Sequence, residues 1–244
     1  LFTLRIYFDF GGYSFMAVGL ARMLGVTLTL NFLAPYTSQS IQEFWRRWHV
    51  TLSTWFRDYV FLPMMGANKR WAEFYLFLTF TLSGFWHGAA WNFILWGAYH
   101  GALLLLLRFL TRQRQTLLGR YVAKMPAVLS WALTFGSVTL GCLFFMETNI
   151  RRLGVKMLTL MNPLAYSLPN LGSAFSSFSF NEGMALSFTL FLTAVLLLLE
   201  HMAIWQKREC EYDLLLSPWV SRTLLALTIL LAANTPSKFI YFEF

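Results

Sequence analysis

Apolar residues in this chain run in long windows, and short segments between them hold nearly all the charge. That spacing constrains the fold more than any other feature. A helix needs roughly 20 apolar residues to cross a hydrocarbon layer about 30 Å thick, because a backbone in lipid must satisfy its own N–H and C=O groups. Trp91 to Phe109, Ala127 to Met146 and Met184 to Ile204 meet or approach this requirement. Ile6 to Leu24 is interrupted by Asp9 and Gly11-Gly12, while Phe74 to Trp86 and Thr223 to Ala233 are short. These three predict tilted, re-entrant or protein-buried helices. The chain therefore reads as an all-α, polytopic integral membrane protein. Only 12% of its 244 residues are charged and 57% are hydrophobic, against about 25% charged in soluble domains, so a water-soluble surface is excluded.

The net charge of +8 does not point to nucleic acid, because the bases sit beside apolar windows and read as topology signals. The positive-inside rule places Arg46 to Arg70, Arg108 to Lys124 and Lys207 to Arg222 in the cytoplasm. The turn from His87 to Asn92, the loop from Asn149 to Gly183 and the C-terminus then face outward. Asn31 to Arg70 is too polar to span, so it is expected to lie at an interface or fold back into the protein. Asn149 to Gly183, rich in Ser, Asn, Pro and Gly, is expected to be an extramembrane loop with room for a short surface helix. Cys142 and Cys210 form no disulfide framework and have no metal-ligand spacing, so no metal site is expected. Leu1 stands where an initiator Met would, and the opening residues are already apolar and aromatic. The expectation is that residues 1–244 form the C-terminal part of a single membrane domain, with earlier helices preceding it.

Chemistry concentrates in two places. In "LSGFWHGAAWNFILWGAYHG", His87 lies between two apolar stretches with Gly84 and Gly88 beside it. An ionisable group at that depth is costly unless it lines a cavity, and glycine permits a helix break or close backbone approach. A neutral imidazole can take a proton from an alcohol and return it later, which suits acyl transfer. The plainer reading is a hydrogen bond to a neighbouring helix. His100 is expected to be structural, packing through Gly97 and Gly101 with a hydrogen bond across. His201 reads as an interfacial residue.

The second place is "SIQEFWRRWHVTLSTWFRDYVFLP". Helical spacing puts Trp45, Trp48 and His49 on one face and turns Arg46 and Arg47 elsewhere. Guanidinium groups bind phosphates through paired hydrogen bonds, so Arg46, Arg47 and Arg57 are candidates for the phosphates of a coenzyme or carrier arm. Membrane anchoring, with an Arg57-Asp58 or Glu43-Arg47 pair, explains the same residues.

Four segments in order, "YFDFGGYSFMAVGLARMLG", "NFLAPYTSQSIQEFWRRWHVTLSTWFRDYVFLP", "GFWHGAAWNFILWGAYHG" and the terminal "FIYFEF", resemble the membrane-bound O-acyltransferase family. The likeness is to its bacterial alginate O-acetylation branch. Two departures from that pattern are Phe15, where an acid is expected, and the stretch Met64 to Asn68. The resemblance implies a many-helix fold with a tunnel through the bilayer, with the family's catalytic His falling on His87 and its second motif His on His49. It implies acetyl transfer from a cytoplasmic donor, acetyl-CoA, toward a secreted exopolysaccharide such as an alginate-like polymer or cellulose. The expected setting is multi-pass in the bacterial inner membrane, with no bound cofactor and no nucleic acid. Expected partners are a periplasmic acetyltransferase and the polysaccharide synthase and secretion machinery. From proximity alone, Asn92, Trp86 and Trp91 are candidates for polarising the thioester carbonyl. Rival readings are D-alanyl transfer to teichoic acid and a non-enzymatic polymer transporter or scaffold.

Overall fold

The computed structural model describes residues 2–67, 69–113 and 115–207. The first helix, α1 (Phe2–Met23), runs unbroken through Asp9 and the glycine pair that interrupt its apolar window. Asp9 is tolerated because Arg5, one turn earlier, reaches its carboxylate at 3.6 Å. Each glycine costs a helix about 1 kcal/mol, offset here by a buried face of Leu4, Tyr7, Phe10 and Val18.

From α1 the chain passes through a short 3-10 turn (Pro35–Thr37) into α2 (Ile41–Arg47) and α3 (Val50–Phe56). A wide turn (Arg57–Phe61) and α4 (Leu62–Met65) follow. A continuous helix through Trp48 and His49 does not form. Trp48 is extended, and His49 takes the left-handed region at φ 45. The helical bonds are exchanged for a cross-link to the preceding segment, where Phe32 and Trp48 form an isolated antiparallel bridge. Leu33 N–H donates to the Arg47 carbonyl and Val50 N–H to the Asn31 carbonyl, both at 3.0 Å. The polar segment thus folds back into the protein.

The break is held by an aromatic core. Tyr7, Phe32, Tyr36, Phe44 and Trp48 pack with ring centroids 4.9 to 6.0 Å apart. Such pairs contribute about 0.5–1.5 kcal/mol each beyond burial. The Tyr36 hydroxyl donates to the Thr3 carbonyl at 2.6 Å, and the Trp131 indole donates to the Tyr36 carbonyl at 2.8 Å. This links α1 and the 3-10 turn to the helix that carries Trp131.

Next come α5 (Ala72–His87), α6 (Trp91–Arg112), α7 (Leu117–Ala123) and α8 (Ala127–Met146). Then follow α9 (Ile150–Met161), α10 (Leu168–Ser176) and α11 (Phe180–Trp205). Among the described residues three helices, α6, α8 and α11, are long and apolar enough to cross a membrane, and they coincide with the three clearest windows of the sequence. The described residues contain no strand and are all-α.

The antiparallel hairpin of α5 and α6 is built on glycine. A Cβ on Gly97 would overlap the Phe80 carbonyl and stand 3.0 Å from Thr81 Cα, and one on Gly84 would stand 3.0 Å from Gly97 N. The hairpin turn closes because the Phe93 ring covers Gly88, where a Cβ would sit 2.5 Å away. An ion pair between Glu73 and Arg112 joins the far ends of the two helices.

Asn149 to Gly183, expected as a loop, is mostly helical. The residues that read as loop-formers are caps. Asn149 accepts from the N–H groups of Arg151 and Arg152 at 3.1 Å, and Ser179 forms a reciprocal capping box with Glu182 at the start of α11. The apolar residues of α9 other than Val155 gather on one side of the helix, while Arg151, Arg152 and Lys156 share the other. Thr223 to Ala233, Cys210, "FIYFEF" and all but Lys207 of the last basic segment lie outside the described residues.

Candidate active site

A cavity of about 650 Å³ opens between the α5–α6 hairpin, α8 and the folded-back segment. Helix α6 turns one face to it, carrying Trp96, His100, Leu104, Leu107 and Arg108. At 1.5 Å per residue, Trp96 to Arg108 spans about 18 Å. A neighbouring wall comes from Leu76, Phe80, Ser83 and His87 of α5, and α8 adds Val138, Cys142 and Phe145.

His87, the last residue of α5, stands at the hairpin-turn end. Its ring meets those of Trp86, Trp96 and Phe145 with centroids 5.0 to 5.2 Å away. No protein group among the described residues hydrogen-bonds its ring nitrogens. An imidazole on a cavity wall with uncommitted nitrogens is free to meet a ligand there.

His49 lines the same cavity, and the left-handed backbone explains how. Breaking the helix aims its ring inward, edge-on to Phe10 with centroids 4.6 Å apart. Its Nδ1 meets Asn31 Oδ1 at 3.3 Å. Asn31 Oδ1 also accepts from the Thr51 backbone N–H at 3.2 Å and the Thr51 hydroxyl at 2.6 Å, while its amide nitrogen donates to Ser14 Oγ at 3.3 Å. The Thr51 backbone can only donate, which fixes the amide's orientation. The proton of His49 therefore sits on Nδ1, and Nε2 keeps its lone pair. Burial, and after it the neighbouring His87, pushes His49 down to about 3, so it is neutral at physiological pH.

The structure brings His49, His87, Arg46, Arg57 and Trp86 to this one cavity, and leaves three other candidate residues off it. Arg47 pairs with Glu43 at 2.7 Å and donates to the Ala34 carbonyl and Thr37 hydroxyl, fastening α2 to the 3-10 turn. Asn92 is buried and donates to the Phe144 carbonyl at 3.0 Å, pinning α6 to α8. Trp91 is 70% exposed on the outer surface. Arg57 is on the cavity but holds Asp58 through two hydrogen bonds at 2.7 and 3.0 Å.

Some wall residues were not anticipated. Gly97 and Gly101 do pack against Phe80 and Phe77 of α5, yet His100 itself faces the cavity between Trp45 and Trp96, both rings 5.0 Å away. Its Nε2 lies where a Gly141 Cβ would be only 2.5 Å off, and its buried Nδ1 has no hydrogen-bond partner among the described residues. The Trp45 indole nitrogen is in the same condition. Asn31, the orienting partner of His49, gave no sequence signal because the pair is eighteen residues apart. Among the described residues no group of three His, Cys, Asp or Glu side chains is placed to hold a metal ion.

Comparison with known proteins covers the helices that build this cavity. The family model of MBOAT, the membrane-bound O-acyltransferase family, matches residues 1–147. Over 155 residues, 62% of this chain, the sequence is 44% identical to "Probable alginate O-acetylase AlgI" of Pseudomonas aeruginosa, covering 28% of that protein. It is 38% identical to the peptidoglycan O-acetyltransferase of Helicobacter pylori over 61% of this chain and 28% of the relative. Against the teichoic acid D-alanyltransferase of Bacillus subtilis it is 33% identical over 59% of this chain and 39% of the relative. The matched part thus spans well under half the length of these relatives.

Proposed function

Because the chain belongs to the membrane-bound O-acyltransferase family, we propose that it passes acetyl groups from a cytoplasmic thioester donor, acetyl-CoA, across the inner membrane for O-acetylation of a secreted exopolysaccharide. The observation that carries this reading is the shared cavity, with His49 and His87 on its wall and the nitrogens of His87 uncommitted. In the reaction an acceptor hydroxyl attacks the thioester carbonyl. The C–O bond forms, the C–S bond breaks, and the hydroxyl proton passes to His87 and then to the departing thiolate. His49, held by Asn31, presents a lone pair on Nε2 and positions the reacting groups. Arg46 and Arg57 support the donor side. Trp86, the one carbonyl-polarising candidate on the wall, offers an indole N–H.

Acetyl rather than D-alanyl transfer is favoured by the higher identity to the alginate protein than to the D-alanyltransferase, 44% against 33%. The polymer is alginate-like or cellulose, and a periplasmic acetyltransferase completes transfer beside the polysaccharide synthase and secretion machinery. Multi-pass insertion in the bacterial inner membrane follows from the same reading.

The test is mass spectrometry of secreted polysaccharide from cells carrying the complete protein, lacking it, or carrying His87→Ala. Loss of O-acetyl groups in the last two is expected. Normal acetylation with a folded His87→Ala protein identifies a scaffold or transporter instead, and ester-linked alanine on a wall polymer identifies D-alanyl transfer.

A further inference from the structure

We infer that Arg108 seats the phosphate at the root of the donor's thioester arm, and so sets how far the acyl group reaches toward His87. This rests on the thioester-donor reading above. Most carboxylates among the described residues are matched to cations. Asp9 takes Arg5, Glu43 takes Arg47, Asp58 takes Arg57, Glu73 takes Arg112, and Glu147 takes Arg152 and Lys156. Two guanidinium groups on the cavity wall fall outside that pattern. Neither Arg46 nor Arg108 has a carboxylate or other side-chain partner among the described residues.

Their positions differ. Arg46 follows Trp45, whose ring packs on Phe80, Trp96 and His100, and its side chain is exposed. Arg108 is half-buried and lies on the same face of α6 as His100 and Leu104, two turns beyond His100. It sits one turn before Arg112, at the end of the hairpin that the Glu73 ion pair fixes. His87 stands at the other end, against Trp96. A cation facing a largely apolar cavity without a counter-ion is poised for an anionic ligand.

The spacing suits an arm of defined length. Trp96 and Arg108 are about 18 Å apart along α6. A phosphopantetheine arm has about 14 bonds from phosphorus to thioester carbonyl, and an extended chain advances about 3.5 Å per three bonds, giving about 16 Å. A phosphate at Arg108 therefore leaves the carbonyl beside His87. Free coenzyme A and a carrier-linked arm share that root phosphate, so Arg108 serves either source.

The inference is tested with the complete protein in proteoliposomes, using acetyl-CoA, acetyl-phosphopantetheine and acetyl-pantetheine, which lacks the phosphate. Arg108→Gln should raise KM for the two phosphate-bearing donors by about tenfold to a hundredfold. It should leave both constants for acetyl-pantetheine unchanged. Arg108→Lys, which keeps the charge but loses the guanidinium fork, should fall between. Arg112→Gln, off the cavity, should not alter donor preference. An acetylated carrier protein run beside acetyl-CoA tells which source the protein uses, and Arg108→Gln should weaken both. If Arg108→Gln changes all three small donors alike, or none, Arg108 is an interfacial anchor and the inference is wrong while the donor reading stands. If the unaltered protein does not distinguish phosphorylated from unphosphorylated donors, the inference is wrong while the donor reading stands; if it transfers acetyl from none of the three thioesters, the donor reading falls and the inference falls with it.

Discussion

Replacing Gly97 by Ala should damage the site without touching it. The added methyl group would overlap the Phe80 carbonyl oxygen and stand 3.0 Å from Phe80 C and Thr81 Cα. Carbon atoms rest at about 3.5–4.0 Å, and the carbonyl adds a harder clash, so α5 and α6 must part by about 1 Å. Overpacking of this kind costs about 1–3 kcal/mol. The functional effect should be larger than the stability effect, because the two helices hold His87 against Trp96 and a misplacement of about 1 Å can lower turnover about a hundredfold. Gly136→Ala is the matched control, since nothing lies within 4 Å of a Cβ there, and alanine is favoured over glycine in a helix by about 1 kcal/mol. Thermal unfolding in detergent and initial rates of acetyl transfer at saturating donor measure both effects. A Gly97→Ala protein as stable and as active as Gly136→Ala would refute the glycine-packed hairpin as the device that positions His87.

Arg47→Gln should lower thermal stability by loosening α2 from the 3-10 turn and leave donor KM unchanged; a change in KM with unchanged stability would return Arg47 to the donor site. His49 contributes a pH dependence of known sign: its folded value near 3 lies below the unfolded value of about 6.5, so the unfolded chain binds the proton first. Stability should therefore fall as pH drops from about 6.5 toward 3, by at most about 1.4 kcal/mol per pH unit. In His49→Gln that component should vanish, and unfolding curves collected between pH 7 and pH 4 that superimpose in shape on the parent's would contradict it. Sidedness is open to cysteine labelling from outside the inner membrane: a cysteine replacing Ser176 should react and one replacing Lys69 should not, and the reverse pattern would invert the topology.

The windows legible in the sequence were those whose chemistry is one-dimensional. A run of apolar residues declares a helix whatever it packs against: α6 and α8 begin at Trp91 and Ala127, where their windows begin, and α11 begins at Phe180, one turn before the window that opens at Met184. Short-range pairings were masked by residue types that also read as breaks and loops: Asp9 interrupts the apolar window but pairs with Arg5 one turn earlier, and Asn149 and Ser179 cap the helices that follow them. A different limit, long sequence separation, applied at the site. His49 and His87 are thirty-eight positions apart in sequence, and local spacing alone could not bring them to one cavity. Helical spacing set Trp45, Trp48 and His49 together and turned Arg46 elsewhere, whereas all four line the cavity, because the helix breaks at Trp48 and His49 where the chain bridges to Phe32. Arg46, Arg47 and Arg57 looked equivalent as a charge cluster, and only their partners separate Arg47, which holds a turn, from the two that reach the cavity.

On the proposed reading, the cavity between the hairpin and the folded-back segment is a reaction site in which His87 handles the proton. The most direct measurement compares parent and His87→Ala forms of the complete protein in proteoliposomes, recording coenzyme A binding and acceptor-dependent release of thiol from acetyl-CoA in the same preparation. Loss of a positioned general base should cut turnover by about a hundredfold to ten-thousandfold. Coenzyme A affinity should be preserved, since the contacts proposed for the donor's phosphates lie elsewhere on the wall. A folded His87→Ala protein that binds coenzyme A and releases thiol at the parent's rate would contradict the claim.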